Sequence, residues 1–496
     1  MNSLIAPTAL PRVVSAHQQQ LVMPARALRA LMLRSMPVLL GLAAIAGPAH
    51  AQRGARFAEW TAPVFAAQEY LARRSRVLAS LSDNDVLLVP SSEGTSSGET
   101  FRQLNDFEYL VGLEIPRSLL LIDRRTQRSV LFVPLTDPRF ENPGRPNDFP
   151  GRPLVSDPSL RALSGVDSVV ADTALPAVFA ALAARGATVR INSGRAGALP
   201  ANAMPGAVAS FFGVPSEGIT LLTAIQRAHP TVTIRNAYEL LAGHRMIKSA
   251  AEIAIMRETA RITMIGIARG AARIRPGADE RSLTGAFTAD CLSQGAQRDA
   301  FTPIIKSGPN SLWPWRILGA HYDRRNRTLR VGDLVIYDVG CERQHYVSDV
   351  GRTFPVGATF SPDQRELVDM VRRISDAVIA AARPGVTLSE LQRVAVAATP
   401  VTARRYMQAP LYFGHHIGLN AGDPSLADAR LAPGMIFTIE PWYYNHDTNL
   451  AVFLEDEILI TATGAENLTA GLPRDAAGLE RLRAGRTAPA RSSSPR

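Results

Sequence analysis

The sequence predicts an α/β (α+β) chain in which an N-terminal α/β domain precedes a larger domain built from two copies of one unit. In the first half, strand-like runs such as Thr188–Ile191 alternate with helical runs such as Leu175–Ala184, which is typical of an α/β domain. In the second half, the motif Arg-Pro-Gly occurs twice, each time between two helical patterns. A β-rich run ending in a carboxylate follows each copy, so we expect a pseudo-two-fold axis to relate the copies.

Composition divides the chain into four segments. Residues 1–51 are predicted to be a signal peptide with an upstream extension, residues 52–240 the N-terminal domain, residues 241–480 the duplicated domain, and residues 481–496 a disordered tail. The formal net charge is +10, and the segment 1–51 contributes to it because it contains arginines and no acidic residue. Elsewhere the basic residues are dispersed, with no aromatic residues interleaved, so we expect no nucleic-acid partner.

The N-terminus has the pattern of a secretory signal. Arginines precede the apolar run Met36–Ala46, and Ala-His-Ala at 49–51 fits cleavage before Gln52, although Met23 or Met32 could be the true start. The apolar run is too short to span a bilayer. We therefore expect a periplasmic or secreted protein that has no membrane anchor after cleavage.

The N-terminal domain shows its elements in order. Phe57–Leu81 has a helical pattern, and Asp85–Pro90 is apolar enough for a buried strand. Ser118–Asp123 and Ser129–Pro134 are predicted to pair as a hairpin. Residues 135–158 are rich in Pro, Asn, Gly and Asp, which indicates a long surface loop.

The duplicated domain begins with a helix start signal. Ser249 and Glu252 form a capping box, and the helix that follows is expected to stop at Arg275-Pro-Gly277. A second helix is predicted over residues 279–294. Arg383-Pro-Gly385 repeats this arrangement, and in each half a glycine lies six residues before a carboxylate, Gly332 before Asp338 and Gly434 before Glu440.

The chain contains two cysteines, Cys291 and Cys341. An exported protein can form a disulfide. However, Cys291 lies in a helical pattern and Cys341 at a strand end, with no short closed loop between them. We therefore expect two separate thiols.

Two carboxylates lie within apolar strand patterns near the middle of the chain. Alternation places Asp338 on the apolar face of its strand, where a lone carboxylate is costly. A hairpin centred between Arg343 and Gln344 would place Asp349 directly opposite Asp338, about 5 Å away. Such a pair suits divalent metal ions. Alternatively, one carboxylate caps a loop and the other is solvated at a sheet edge.

Further metal-ligating side chains follow in the second half. They are the imidazoles of His415 and His416, the carboxylate of Glu440 at a strand end, and three consecutive acids at 455–457 within one strand. Together they suit Mn²⁺, Co²⁺ or Zn²⁺ in a paired site. Alternation alone does not choose between the two histidines or among the three acids.

The order of these motifs resembles the aminopeptidase P and prolidase family. Asp338 is followed by Asp349 and then by the sequences GHHIGL, TIEP and LEDEILIT, and the N-terminal stretch Arg102–Gly112 is also similar to the family. The similarity runs from about residue 57 to residue 479. It implies a creatinase/prolidase-like N-terminal domain followed by a metallopeptidase domain of the pita-bread fold.

The resemblance also implies a ligand set and roles for its members. Two divalent metal ions are expected, Mn²⁺ first, with Zn²⁺ or Co²⁺ as alternatives, and they would supply an activated water and polarise the scissile carbonyl. Asp349 and Glu455 would bridge the two ions. His321 would face the substrate, and Glu440 would also shuttle a proton. The full set of implied metal ligands is Asp338, Asp349, His415, Glu440 and Glu455.

The function implied is that of an exported Xaa-Pro aminopeptidase, which hydrolyses the peptide bond between an N-terminal residue and a following proline. Its partners would be a peptide substrate and further copies of itself in a homo-oligomer. Three alternatives stay open: a prolidase-like dipeptidase, another metallohydrolase, and a non-catalytic binding protein on the same fold.

Three positions depart from the family pattern. Leu411 and Gly422 stand where the family has histidines, and Phe453 stands where it has an arginine. His446, in the loop before the last strand, is a candidate to replace a missing imidazole. We therefore expect normal metal binding together with slow cleavage of standard Xaa-Pro peptides, or a preference for a different substrate.

Overall fold

The computed structural model describes residues 63–93, 100–135, 155, 158–195, 217–312, 326–407 and 414–485. Several features named above lie outside these residues. They are the signal segment, most of the loop at 135–158, the residues after 485, His321 and Leu411.

The N-terminal domain is a mixed six-stranded sheet with helices packed against it. The strand order is β4-β3-β2-β1-β5-β6, with β1, β2 and β3 antiparallel and β1 parallel to β5. The elements are α1 (Ala67–Ala79), β1 (Asp85–Pro90), α2 (Asn105–Val111), β2 (Leu119–Asp123), β3 (Arg128–Val133), α3 (Pro158–Ser164), β4 (Ser168–Ala171), α4 (Leu175–Ala184), β5 (Thr188–Ile191), α5 (Glu217–Ala228) and β6 (Thr233–Asn236).

The structure confirms the predicted strands and hairpin of this domain. Its core is formed by apolar residues of β1, β2 and β5, including Val86, Leu121 and Ile191, which are at most 5% exposed. The helix predicted from Phe57 is wrong at its start, because Ala66 has the extended ψ of 151° and α1 begins only at Ala67.

The duplicated domain contains two helix pairs and several small sheets. Its elements are α6 (Tyr238–Met246), α7 (Ala250–Arg273), α8 (Glu280–Ser293), β7 (Arg298–Asp299), β8 (Ile304–Ser307), β9 (Leu334–Val339), β10 (Cys341–Arg343), β11 (Tyr346–Val347), β12 (Val350–Pro355), α9 (Pro362–Ala381), α10 (Leu388–Ala398), β13 (Ile436–Ile439), β14 (Trp442–Asn445), β15 (Leu450–Phe453), β16 (Asp456–Ile460), β17 (Ala465–Asn467) and α11 (Ala476–Arg483). The sheets have the orders β12-β9-β8, β11-β10-β7, β13-β16-β17 and β14-β15.

The two copies of the unit make equivalent backbone contacts. In the first copy, Gly277 donates its N–H to the carbonyl of Leu329 at 3.0 Å, and in the second, Gly385 donates to Leu431 at 2.8 Å. Each Arg-Pro-Gly turn thus binds the segment that leads into the carboxylate-bearing strand. Both helix pairs lie where the sequence predicts them, and the capping box of Ser249 is confirmed.

The predicted register of the central hairpin is wrong by two residues. Asp338 pairs with Gly351, not with Asp349, because the tight turn consists of Gln344 and His345. Both turn residues have positive φ, at 50° and 66°. Since a shift of two keeps side chains on the same face of a strand, Asp349 still shares a face with Asp338.

The expectation of two separate thiols is also wrong, because Cys291 and Cys341 form a disulfide that spans 50 residues. The helix α8 carries Cys291 onto the first residue of β10, and both cysteines are fully buried. Packing of the helix on the sheet brings the two together, which their local patterns could not indicate.

Side chains of the N-terminal domain contact the hairpin β10–β11. Arg102 forms an ion pair with Glu342, with Nε and Oε2 2.9 Å apart. His345 Nε2 lies 3.0 Å from Oε1 of Glu114. Tyr346 is fully enclosed, and its hydroxyl donates to Glu252 at 2.8 Å. The hairpin is therefore held from both domains.

Two observations concern the ends of the chain. No helix among the described residues is long and apolar enough to cross a bilayer. The helix α11 continues to Arg483, past residue 481 where disorder was predicted to start, because Leu482 packs into the core at 2% exposure.

Candidate metal centre

Three neighbouring backbone segments form the floor of the site. Gly351 pairs with Asp338 on one side. On the other side it exchanges two hydrogen bonds with Glu455, N–H to carbonyl, at 3.2 and 3.0 Å. Directly paired residues point to the same face of a sheet, so the side chains of Asp338 and Glu455 lie on one face, with Asp349 two residues along from Gly351.

His415 and Glu440 reach this face from the second half of the domain. The N–H of Thr438 donates to the carbonyl of His415 at 2.9 Å, which fixes the histidine beside β13. The imidazole Nε2 lies 3.3 Å from Oε1 of Glu440 and 3.6 Å from Oδ2 of Asp349. One ligand atom each from Asp349, His415 and Glu455 lies within 4.8 Å of the others.

The carboxylates of the cluster are buried, and several of their oxygens accept no hydrogen bond from the described residues. Asp338, Asp349, Glu440 and Glu455 are each at most 4% exposed. Among the described residues, no group donates a hydrogen bond to Oδ2 of Asp338, Oδ1 of Asp349 or either carboxylate oxygen of Glu455. Buried carboxylate oxygens are costly unless a cation or a donor compensates them, so the donor set fits divalent metal ions.

Burial also shifts the acidity of these groups. Desolvation is the main cause that raises the pKa of Asp338, Asp349 and Glu455 well above the ordinary range, and repulsion from neighbouring carboxylates adds to it. The pKa of Glu440 is raised to about 8, again by desolvation. Bound cations would reverse these shifts, because an opposite charge favours the ionised form.

The structure separates the candidates that alternation left open. Glu455 faces the cluster, whereas the carboxylate of Asp456 lies on the opposite face, 2.7 Å from Nη2 of Arg352. Glu457 lies beside the cluster and accepts the N–H of Asp349 at 2.9 Å. His415 lies in the cluster. His416 instead forms a backbone β-bridge with Phe437, and the charged neighbours of its imidazole are Lys248 and Asp423.

Sequence reasoning missed the residues that orient Glu440. Thr438 donates its hydroxyl to Oε1 at 3.3 Å, and the indole N–H of Trp442 donates to Oε2 at 3.4 Å. Both lie two residues from Glu440 along an extended chain, so their spacing was the available signal.

Two of the three family departures lie within the described residues. The Phe453 ring stacks on Trp442 with 3.7 Å between centroids, and a Cβ at Gly351 would lie 2.1 Å from it. The ring therefore needs the glycine beneath it. At Gly422, a Cβ would meet no atom within 4 Å. His446 lies on the exposed turn between β14 and β15, so the structure does not support it as a replacement imidazole.

Apolar residues surround the Phe453 ring. Ile336, two residues before Asp338, and Trp442, two residues after Glu440, share one buried cluster with it. The remaining members are Leu312, Tyr444 and Ala451. An apolar wall thus adjoins the carboxylate cluster along the same strands.

Two protein-family models match the chain. The model described as metallopeptidase family M24 matches residues 254–462, and the model described as the N-terminal domain of aminopeptidase P matches residues 70–189. The candidate metal ligands all lie within the first match.

Individual proteins are similar over most of the chain. The Xaa-Pro aminopeptidase of Escherichia coli is 27% identical over 84% of this chain and 97% of its own length. YkvY of Bacillus subtilis is 30% identical over 52% of this chain and 70% of its own length. The solved structure of proline aminopeptidase P II from Yersinia pestis has a TM-score of 0.68 at 25% identity, covering 85% of this chain and 100% of that one.

Proposed function

Because the chain belongs to the aminopeptidase P family of M24 metallopeptidases, we propose that it is an exported Xaa-Pro aminopeptidase that uses two divalent metal ions. The observation that carries the proposal is the cluster of buried carboxylates, with oxygens that no described group of the protein satisfies, beside the imidazole of His415. A non-catalytic protein on this fold would have no need to keep such a costly set.

The residues that would hold the ions are Asp338, Asp349, His415, Glu440 and Glu455, with Asp349 and Glu455 shared between the two. When bound, the ions would supply an activated water and polarise the scissile carbonyl. We propose Mn²⁺ as the natural metal, since carboxylate oxygens outnumber nitrogen in the set, with Zn²⁺ or Co²⁺ as alternatives.

Glu440 is the proposed proton carrier. Its two oxygens accept hydrogen bonds from Thr438 and Trp442, which orient the carboxylate within the cluster so that it can accept and return a proton. His321, which lies outside the described residues, stays a proposed substrate-facing residue.

One assay tests the substrate proposal. Metal-loaded protein is incubated with Xaa-Pro-Yaa peptides and with Xaa-Pro dipeptides, and each product is identified. Release of the N-terminal residue from the longer peptides supports an aminopeptidase. Cleavage of dipeptides alone would instead identify a prolidase-like dipeptidase, and no cleavage of either would contradict the proposal.

Export and assembly belong to the same proposal. The disulfide between Cys291 and Cys341 supports export, because such bonds persist mainly in oxidising compartments. N-terminal sequencing of exported protein should begin at Gln52, and a mature protein that retains residues 36–46 would contradict it. A homo-oligomer without a membrane anchor is the proposed state, to be measured by light scattering.

A further inference from the structure

Arg352 lies in β12, next to Gly351 on the floor of the candidate metal centre, and its side chain is fully buried on the other face. Within the described part of the chain, its guanidinium makes four hydrogen bonds. Nη1 donates to the carbonyls of Gly351 at 2.7 Å and Glu455 at 2.6 Å. Nη2 donates to Oδ1 of Asp456 at 2.7 Å, and Nε donates to the carbonyl of Pro473 at 2.9 Å.

The two carbonyls that accept from Nη1 belong to Gly351 and Glu455, which form an isolated β-bridge between the two halves of the duplicated domain. Gly351 and Glu455 exchange their own backbone hydrogen bonds across this bridge, outside any regular strand pair. Each carbonyl therefore accepts twice, once from the partner amide and once from Arg352. The guanidinium thus holds together the segment that carries Asp349 and the segment that carries Glu455.

The guanidinium itself is held in place by charge. Asp456 is fully buried, and its second oxygen accepts from Nε of Arg474 at 2.6 Å. Thr469 donates its hydroxyl to the same oxygen that binds Arg352, at 2.7 Å. The planar fork of an arginine can satisfy two carbonyls and a carboxylate together, which a lysine ammonium cannot do in the same geometry.

We propose that Arg352 is a positioning residue of the metal centre, which sets the spacing between the carboxylates of Asp349 and Glu455 by clamping the backbone beneath them. The proposal rests on the proposed two-metal function. Displacements well below 1 Å are enough to impair a preorganised site, and loss of an outer-shell partner typically lowers metal affinity 10–100-fold.

The test compares Arg352→Lys with Arg474→Lys. Both arginines bind Asp456, but Arg474 makes no hydrogen bond to the backbone of Gly351 or Glu455. Mn²⁺ affinity and stoichiometry are measured by calorimetry and elemental analysis, and the spin coupling between the ions by electron paramagnetic resonance. We expect Arg352→Lys to bind the second ion at least tenfold more weakly with altered coupling, and Arg474→Lys to retain both properties.

The outcomes are distinct. Equal losses of Mn²⁺ affinity in Arg352→Lys and Arg474→Lys, or unchanged metal binding in Arg352→Lys, would overturn the proposal. If Arg352→Lys does not fold, Asp456→Asn replaces it as the test. This variant keeps an acceptor for Nη2 of Arg352 but removes the negative charge that holds the guanidinium, and we expect a smaller loss of affinity for the second ion. If neither Arg352→Lys nor Asp456→Asn folds, the proposal that Arg352 has a role specific to the metal centre is overturned. An unmodified protein that binds fewer than two ions would refute the proposed function instead.

Discussion

Asp349 is one of the two candidate ligands proposed to be shared between the ions. It contacts the imidazole of His415, and its neighbours across the site are Asp338 and Glu455. We expect Asp349→Ala to abolish tight binding of two ions per chain while the fold stays intact, because the carboxylate proposed to be shared would serve both ions. Elemental analysis after dialysis checks this, with the fully exposed Asp83→Ala as the control. Two ions still bound in the Asp349 variant would contradict the assignment.

Glu457 provides a pH test that needs no metal. Desolvation raises its pKa to about 8, against about 4.3 for an unfolded glutamate. Between pH values of about 4.3 and about 8, Glu457 is protonated in the folded chain and ionised in the unfolded chain. The free energy of unfolding therefore falls as pH rises from about 4 to about 8.

The measurement is denaturant unfolding of the metal-free protein at several pH values. Glu457→Gln removes the ionisable group while keeping an acceptor for the Asp349 amide, and it should show a shallower fall. Identical slopes for both proteins would mean that Glu457 ionises normally in the folded state.

Phe453 gives a test of the apolar wall. The ring packs against Trp442 and above Gly351, within an apolar cluster, and is 1% exposed. Phe453→Arg would place a guanidinium there, and we expect it to lower the free energy of unfolding by about 3–5 kcal/mol, the cost of an uncompensated buried charge. Urea unfolding measures it, with Phe453→Leu as the smaller, uncharged change. Unaltered stability would show instead that the guanidinium reaches the carboxylate cluster.

At the scale of elements, regular segments were predictable, and the central hairpin register was not. Helices such as Ala250–Arg273 carry caps and periodicity within their own sequence. The turn at Gln344 and His345 carries no such signal, because a two-residue turn with positive φ at both positions usually contains Asn or Gly. Contacts from distant residues hold it, including Glu114 on His345 and Gln297 on the Gln344 amide.

The disulfide yields a prediction at this scale. It closes a loop of 50 residues between α8 and β10, and the chain-entropy estimate for such a loop is about 4 kcal/mol. We expect reduction to lower the free energy of unfolding by about that amount, measured by urea unfolding with and without a reductant. The double variant Cys291→Ser with Cys341→Ser should match the reduced protein and be insensitive to reductant. Equal stability of the oxidised and reduced forms would contradict this.

At the scale of the whole molecule, the duplicated architecture was predictable from two short motifs, because each Arg-Pro-Gly turn forms the same local contacts in both halves. The choice of candidate ligands followed from the family resemblance, and three of them, Asp349, His415 and Glu455, lie close together in the structure. The bridge between Gly351 and Glu455 was not predictable, because a glycine and an acid far apart in sequence give no pattern before the halves come together. The hydrogen bonds from Arg352 to the carbonyls of Gly351 and Glu455 were missed for the same reason.

The hairpin β10–β11, which leads into Asp349, is held by Arg102 and Glu114 of the N-terminal domain. The N-terminal domain therefore supports the hairpin that leads into Asp349 in the duplicated domain. The change of pattern near residue 240 marks a boundary in the sequence, but these ion pairs cross it. A minimal enzyme cut at that point would keep every candidate metal ligand and lose the support that keeps one of them in register.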